Sequence, residues 1–250
     1  MRSNAALREP RLLSLDPDLA GAGKRLAWLA AFSFITGITA TGNAPAMTMR
    51  VAGDQAILSG RLEPSDEAQF SQLLQANPSI STVVLWNSPG GSSVANAGLT
   101  AMIQDRKLNT AVAGNCISAC AMVFLSGTQR YFSDGESLDR TSLGFHGSYL
   151  HGALADEKRL QFLESLVETE TGGKADPSLV EHWLHLTDES QTVRFRYPGS
   201  DGTSKTATVF DCQGGGGANR GDYDSCTPIA GPNALSMGII TSTRIVHVER

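Results

Sequence analysis

This 250-residue chain has few aromatic side chains (6%) and few charged ones (18%), and its net charge is −5. With no excess of Lys and Arg there is no general positive field, which argues against a nucleic-acid binder working through bulk charge. Only four cysteines are present, at 116, 120, 212 and 226, and none is spaced with histidines as a zinc site requires. No Walker A loop occurs, so the chain shows no phosphate-cradling ATPase element of that kind. No internal repeat occurs either, and outside residues 26–41 no apolar run could cross a membrane.

What is there suffices for a globular protein. At 41% hydrophobic residues the chain can bury a sizeable core, as one large domain or two small ones. Its 26 glycines predict tight turns and close backbone approaches.

Residues 1–46 differ from the rest. Lys24 and Arg25 precede the apolar run Leu26–Thr41, and Ala44-Pro45-Ala46 follows as a small-residue cleavage site. Positive flank, apolar core and small residues read as a secretory signal. The run is shorter than the ~20 residues of a comfortable bilayer span. The leader before Lys24 contains Asp16 and Asp18, so either the true start lies downstream of Met1 or the segment stays as an inner-membrane anchor. The expected location is periplasmic or secreted, with membrane contact only through this segment if it is uncleaved.

From residue 50 the pattern is strand and helix in alternation, which implies a parallel β-sheet with crossover helices. Residues 50–60 read as a strand or hairpin. Pro64-Ser65-Asp66-Glu67 opens a helix with Phe70, Leu73 and Leu74 on one face, ended by Asn77-Pro78. The β-branched run 81–86 reads as a buried strand. It leads through the Gly-rich turn 87–93 into a helix over 94–106. A second strand, 110–113, runs into 115–125, read as a buried helix. Strands follow at 129–132 and 143–146, then helices over 156–170 and 177–186. Residues 192–228 break the alternation: 192–197 and 205–210 predict an inserted β-hairpin near the C-terminus, followed by a surface loop at Gly214–Gly217. A short helix over 232–237 and strand-like segments at 239–241 and 245–248 close the chain.

Three pieces stand in a suggestive order. The turn Asn87-Ser88-Pro89-Gly90-Gly91 leaves backbone N–H groups uncovered, as an oxyanion-binding loop needs. Gly114-Asn115-Cys116-Ile117-Ser118-Ala119-Cys120 then places a serine at the start of a buried helix, where free N–H groups favour developing negative charge. The strand at 143–146 ends in His146-Gly147, a histidine able to serve as base to a serine. Taken singly, Ser118 would be a small residue at a tight junction and His146 a structural histidine. Their order gives them chemical meaning.

In these pieces the chain resembles the Clp protease proteolytic subunit of the Clp/crotonase superfamily, and more closely the exported, Clp-like proteins of bacteria. The resemblance covers 51–122 well, His146 and the helix after it less fully, and 232–240 near the end. It implies an α/β fold, Clp/crotonase-like, over residues 50–250, with an insertion at about 192–228. It matches Ser118 to the nucleophile and His146 to the general base. The N–H of Gly91 or Gly90, with that of Ala119, matches the oxyanion hole. The acid falls on Asp188 if the insert follows it, and on Asp222 or Asp224 if it precedes; Asp188 is favoured. A departure is the pair Cys116 and Cys120 around the serine, which are either buried thiols or a disulfide. Cys212 and Cys226 flank the Gly-rich loop and are expected to form a disulfide in an oxidising compartment.

The function implied is an exported serine hydrolase, a Clp-like peptidase with a peptide or protein substrate, with homo-oligomer formation left open. A non-catalytic scaffold is the rival, because fold does not imply function. An acyl-CoA enzyme of crotonase type is a third reading, disfavoured by export. No cofactor and no metal are expected. His182 and His185 lack a third ligand, and His151 and His247 read as surface residues.

Overall fold

The computed structural model describes residues 47–199, 202, 207–214 and 225–249. The apolar run 26–41, Gly215–Gly217, Asp222 and Asp224 lie outside the described residues.

The fold is mixed α/β, with five helices among the described residues. The strands β1 (Thr48–Ala52) and β2 (Gln55–Ser59) form an antiparallel hairpin, and β2 pairs parallel with β3 (Thr82–Ser88). Helix α1 (Asp66–Ala76) connects them. Ser65 makes no side-chain cap. Instead Asp66 Oδ2 accepts from the Glu63 N–H at 2.7 Å, bracing the entry to the helix. Helix α2 (Ser93–Asp105), capped by Ser92 Oγ on the Ala95 N–H, crosses to β4 (Asn109–Ile117), parallel to β3.

Strand β4 is longer than expected, and the difference matters. Residues 115–117, expected in a helix, continue the strand, and only α3 (Ala119–Leu125) is helical. The reason is a second partner. Residues 110–112 pair with β5 (Arg130–Ser133), but 115–117 pair with β6 (Ser142–Phe145). The sheet therefore forks along β4. The bend sits where Gly114 (φ +67°) faces Asn87 (φ +47°), beside an irregularity in the β3–β4 register. A β-carbon at Gly114 would fall 2.0 Å from Asn87 Oδ1, which accepts from the Asn115 N–H at 3.1 Å. Glycine is required here by both its φ and its neighbour.

Past β6 come the short hairpin β7 (Tyr149–Leu150) and β8 (Ala153–Leu154), then α4 (Glu157–Thr171) and α5 (Pro177–Leu184). Both helices open on an aspartate cap, Asp156 and Asp176, and Pro177 occupies the first turn of α5, where its missing N–H is no loss. Strand β9 (Thr192–Arg196) pairs antiparallel with β6, β10 (Val209–Cys212) with β9, and β11 (Cys226–Ile229) with β10. The expected hairpin thus exists with its second strand further along the chain, and it extends the main sheet. Two other expectations are corrected. Residues 234–238 form turns and not a helix, and 239–241 form no strand; β12 (Ile245–Val246) pairs parallel with β5.

The main core lies between the helices and one face of the sheet, with Phe70, Leu85, Leu99, Phe124, Phe132 and Trp183 fully buried. On the other face a smaller cluster, Ile57, Val84, Ala111, Ala113 and Tyr131, is covered by Val248 of the closing segment. Both cysteine pairs are disulfides, Cys116–Cys120 (Cα–Cα 5.3 Å) and Cys212–Cys226 (4.0 Å), the second between opposed positions of β10 and β11. They fit an oxidising environment. No helix among the described residues is long and apolar enough to cross a membrane.

Candidate functional site

The fork in β4 delivers Ser118 to its place. Ile117 pairs with Gly144 of β6, the Ser118 N–H donates to Gly144 O at 2.9 Å, and the chain then turns into α3. Ser118 occupies the N-cap position of that helix, without a side-chain capping bond, at φ 61°, ψ −127°, a conformation that costs an L-residue roughly 1–3 kcal/mol and persists only where surroundings enforce it. Ser118 and His146 line one open cleft of about 630 Å³, together with Arg61, Gly91, Tyr149 and Glu189.

His146 follows β6 directly. Its predecessor Phe145 is anchored by Trp183 (ring centroids 5.1 Å) and Phe195 (5.7 Å), which holds the strand end still. Its successor must be glycine, because a β-carbon at Gly147 would lie 2.3 Å from Leu184 O at the end of α5. The half-buried imidazole tilts against the Tyr149 ring at 5.3 Å. Nδ1 lies 2.7 Å from Gly147 O, so Nδ1–H donates to that carbonyl and Nε2 carries the lone pair. Burial pulls the His146 pKa below its usual value, while the Gly147 carbonyl and the charge of Glu189 act against that shift. Ser118 and His146 make no hydrogen bond to each other here: among the described residues His146 bonds through Nδ1 alone.

The loop after β3 supplies backbone donors. The Gly90 N–H is used by Ser88 Oγ at 3.3 Å, and Gly90 O accepts from the Leu62 N–H at 2.9 Å. Neither the Gly91 nor the Ala119 N–H has an acceptor among the described residues. Of the two glycines named from the sequence, Gly91 is the one with a donor to spare. The Ala119 N–H also sits in the first turn of α3, where the helix leaves its donors unpaired.

Asp188 is exposed, and its Oδ1 accepts from the N–H and the hydroxyl of Ser190, which holds its pKa below the usual carboxylate range. It does not line the cleft, whereas the adjacent Glu189 does and is the carboxylate whose charge acts on His146. Both acids act on Tyr149, whose hydroxyl donates to Leu186 O and whose pKa burial pushes up to about 12. Glu189, Tyr149 and Arg61 were not singled out in the sequence. Nothing in a loop reading Thr-Asp-Glu-Ser distinguishes one carboxylate from the next.

His182 and His185 are engaged separately, by Asp211 at 2.9 Å and by Glu157 at 3.4 Å. Among the described residues no group of three or more His, Cys, Asp or Glu could hold a metal ion.

No protein-family model matches the chain, and no curated protein does. Among solved structures it is similar to the "1510-N membrane-bound stomatin-specific protease S97A mutant", at 16% identity and a TM-score of 0.38, covering 53% of this chain and 71% of that one. A likeness this slight adds nothing to what the geometry of the cleft supports.

Proposed function

We propose that this chain is an exported serine hydrolase, a Clp-like peptidase that works through an acyl-enzyme on peptide or protein substrates. The observation that carries the reading is Ser118, held in a left-handed conformation at the start of a buried helix and lining one cleft with His146. Ser118 Oγ attacks the scissile carbonyl carbon as His146 Nε2 takes its proton. The carbonyl oxygen becomes an oxyanion between the Gly91 and Ala119 N–H groups. Collapse breaks the C–N bond, and the leaving amine takes the proton from His146. Water then enters by the same base and frees Ser118. The Gly147 carbonyl orients the imidazole, and the charge of Glu189 favours its protonated form.

The second reading, a non-catalytic scaffold, is favoured by one observation: His146 makes no hydrogen bond to Ser118. A fluorophosphonate probe separates the two. The expected result is covalent labelling at Ser118, lost in Ser118→Ala and reduced about 10²-fold or more in His146→Ala. Absence of labelling in the folded wild-type protein selects the scaffold.

A further inference from the structure

The cysteines around Ser118 play no part in the chemistry above, yet their placement bears on it. Cys116 lies in β4 two residues before the serine, and Cys120 lies in the first turn of α3 two residues after it. Their disulfide therefore bridges the strand-to-helix turn whose apex is Ser118. Both cysteines are fully buried in the main core, and neither lines the cleft. Substrate would touch neither.

Two roles other than turn geometry are weak here. A disulfide restricts the unfolded chain less as the closed loop shortens, and this one joins residues only four apart. A redox role needs sulfur that a thiol can reach, and these sulfurs are sealed in the folded state. What the bridge does constrain is the distance across Ser118. That residue sits at φ 61°, ψ −127°, outside the conformations a serine adopts freely. Such a conformation survives only when the surroundings over-determine it. One restraint is the bond from the Ser118 N–H to Gly144 O, and another is the backbone of Gly90 packed against the turn. The covalent tether between the two arms is the third.

We propose that the Cys116–Cys120 disulfide is a positioning clamp, which holds the Ser118 backbone in its left-handed conformation and so keeps the serine on the cleft that His146 also lines. This rests on the serine hydrolase reading. The clamp is static, formed once in an oxidising compartment.

The test compares three proteins: wild type, Cys116→Ala/Cys120→Ala, and Cys212→Ala/Cys226→Ala. The last removes the bridge between β10 and β11, which closes a longer loop, with a sequence separation of 14, and does not line the cleft. Saturation kinetics of fluorophosphonate labelling give a maximal rate and a half-saturating concentration, and thermal unfolding is read alongside. For Cys116→Ala/Cys120→Ala the maximal rate is expected to fall about 10- to 100-fold with the half-saturating concentration unchanged. Cys212→Ala/Cys226→Ala is expected to lose more thermal stability and keep its rate. A crystal structure of the first variant is expected to show Ser118 out of the left-handed region. Should the alanine pair not fold, Cys116→Val/Cys120→Ala refills the core and takes its place. A folded variant labelling at the wild-type rate overturns the clamp, as does failure of both pairs to fold, which would make the bridge a folding requirement. Wild-type protein that does not label refutes the hydrolase reading itself, a distinct result.

Discussion

Gly90 fits directly against Ser118 in its turn: a β-carbon at position 90 would lie 2.7 Å from Ser118 Cβ, 2.5 Å from Ile117 O and 2.9 Å from the Ala119 nitrogen. Two segments far apart in sequence thus meet where the serine turns and a free N–H begins. The glycine also has φ +86°, so a side chain there is strained twice over.

Gly90→Ala must therefore displace the serine turn. Fluorophosphonate labelling at Ser118 is expected to fall about 10²-fold, since a displacement of ~1 Å is enough for such a loss. A folded Gly90→Ala protein that labels at the wild-type rate would show that the close approach is irrelevant to the site.

The pH dependence follows from His146. The base must be neutral, so activity is lost as pH falls through its pKa. Burial lowers that pKa, which puts the acid limb of the labelling rate below the ordinary histidine value of about 6.5. The charge of Glu189 opposes the shift, so Glu189→Gln should move the limb further to the acid side. A limb that moves towards neutral pH in that variant contradicts the assignment, and one that does not move leaves Glu189 without a part in setting the base.

Arg130 is a structural keystone away from the cleft. It is 6% exposed, and its guanidinium donates to the carbonyls of Leu125, Gly127, Glu170, Gly238 and Ile239. These come from the end of α3, the end of α4 and the turns before β12. Burial lowers its pKa, but the group stays charged at neutral pH. Arg130→Met strands several buried carbonyls and is expected to lower unfolding stability by roughly 3 kcal/mol or more, read by denaturant titration. A loss below about 1 kcal/mol would mean that water replaces the arginine.

Much of the architecture was legible in the chain. β-branched runs and helical spacing placed β3, α2, α4 and α5 close to where they lie, because each buries its own local pattern against one sheet. Residues 115–117 were misread because an apolar run short enough for either state takes its structure from its partner, and that partner, β6, lies beyond α3 and β5. The turn at 234–238 reads like a helix in sequence but is too short to propagate one.

The chain by itself determined the chemical vocabulary: a serine at a helix start, a histidine at a strand end and glycines after a buried strand, each written in a contiguous segment. Tertiary structure alone decided how those words combine. It bonded His146 to its neighbour's carbonyl, left Gly91 rather than Gly90 with a free N–H, and brought Glu189 rather than Asp188 to the cleft. The physical reason is that segment identity is set by local periodicity, whereas which donor stays unpaired and which carboxylate faces a cleft depends on neighbours supplied by other segments.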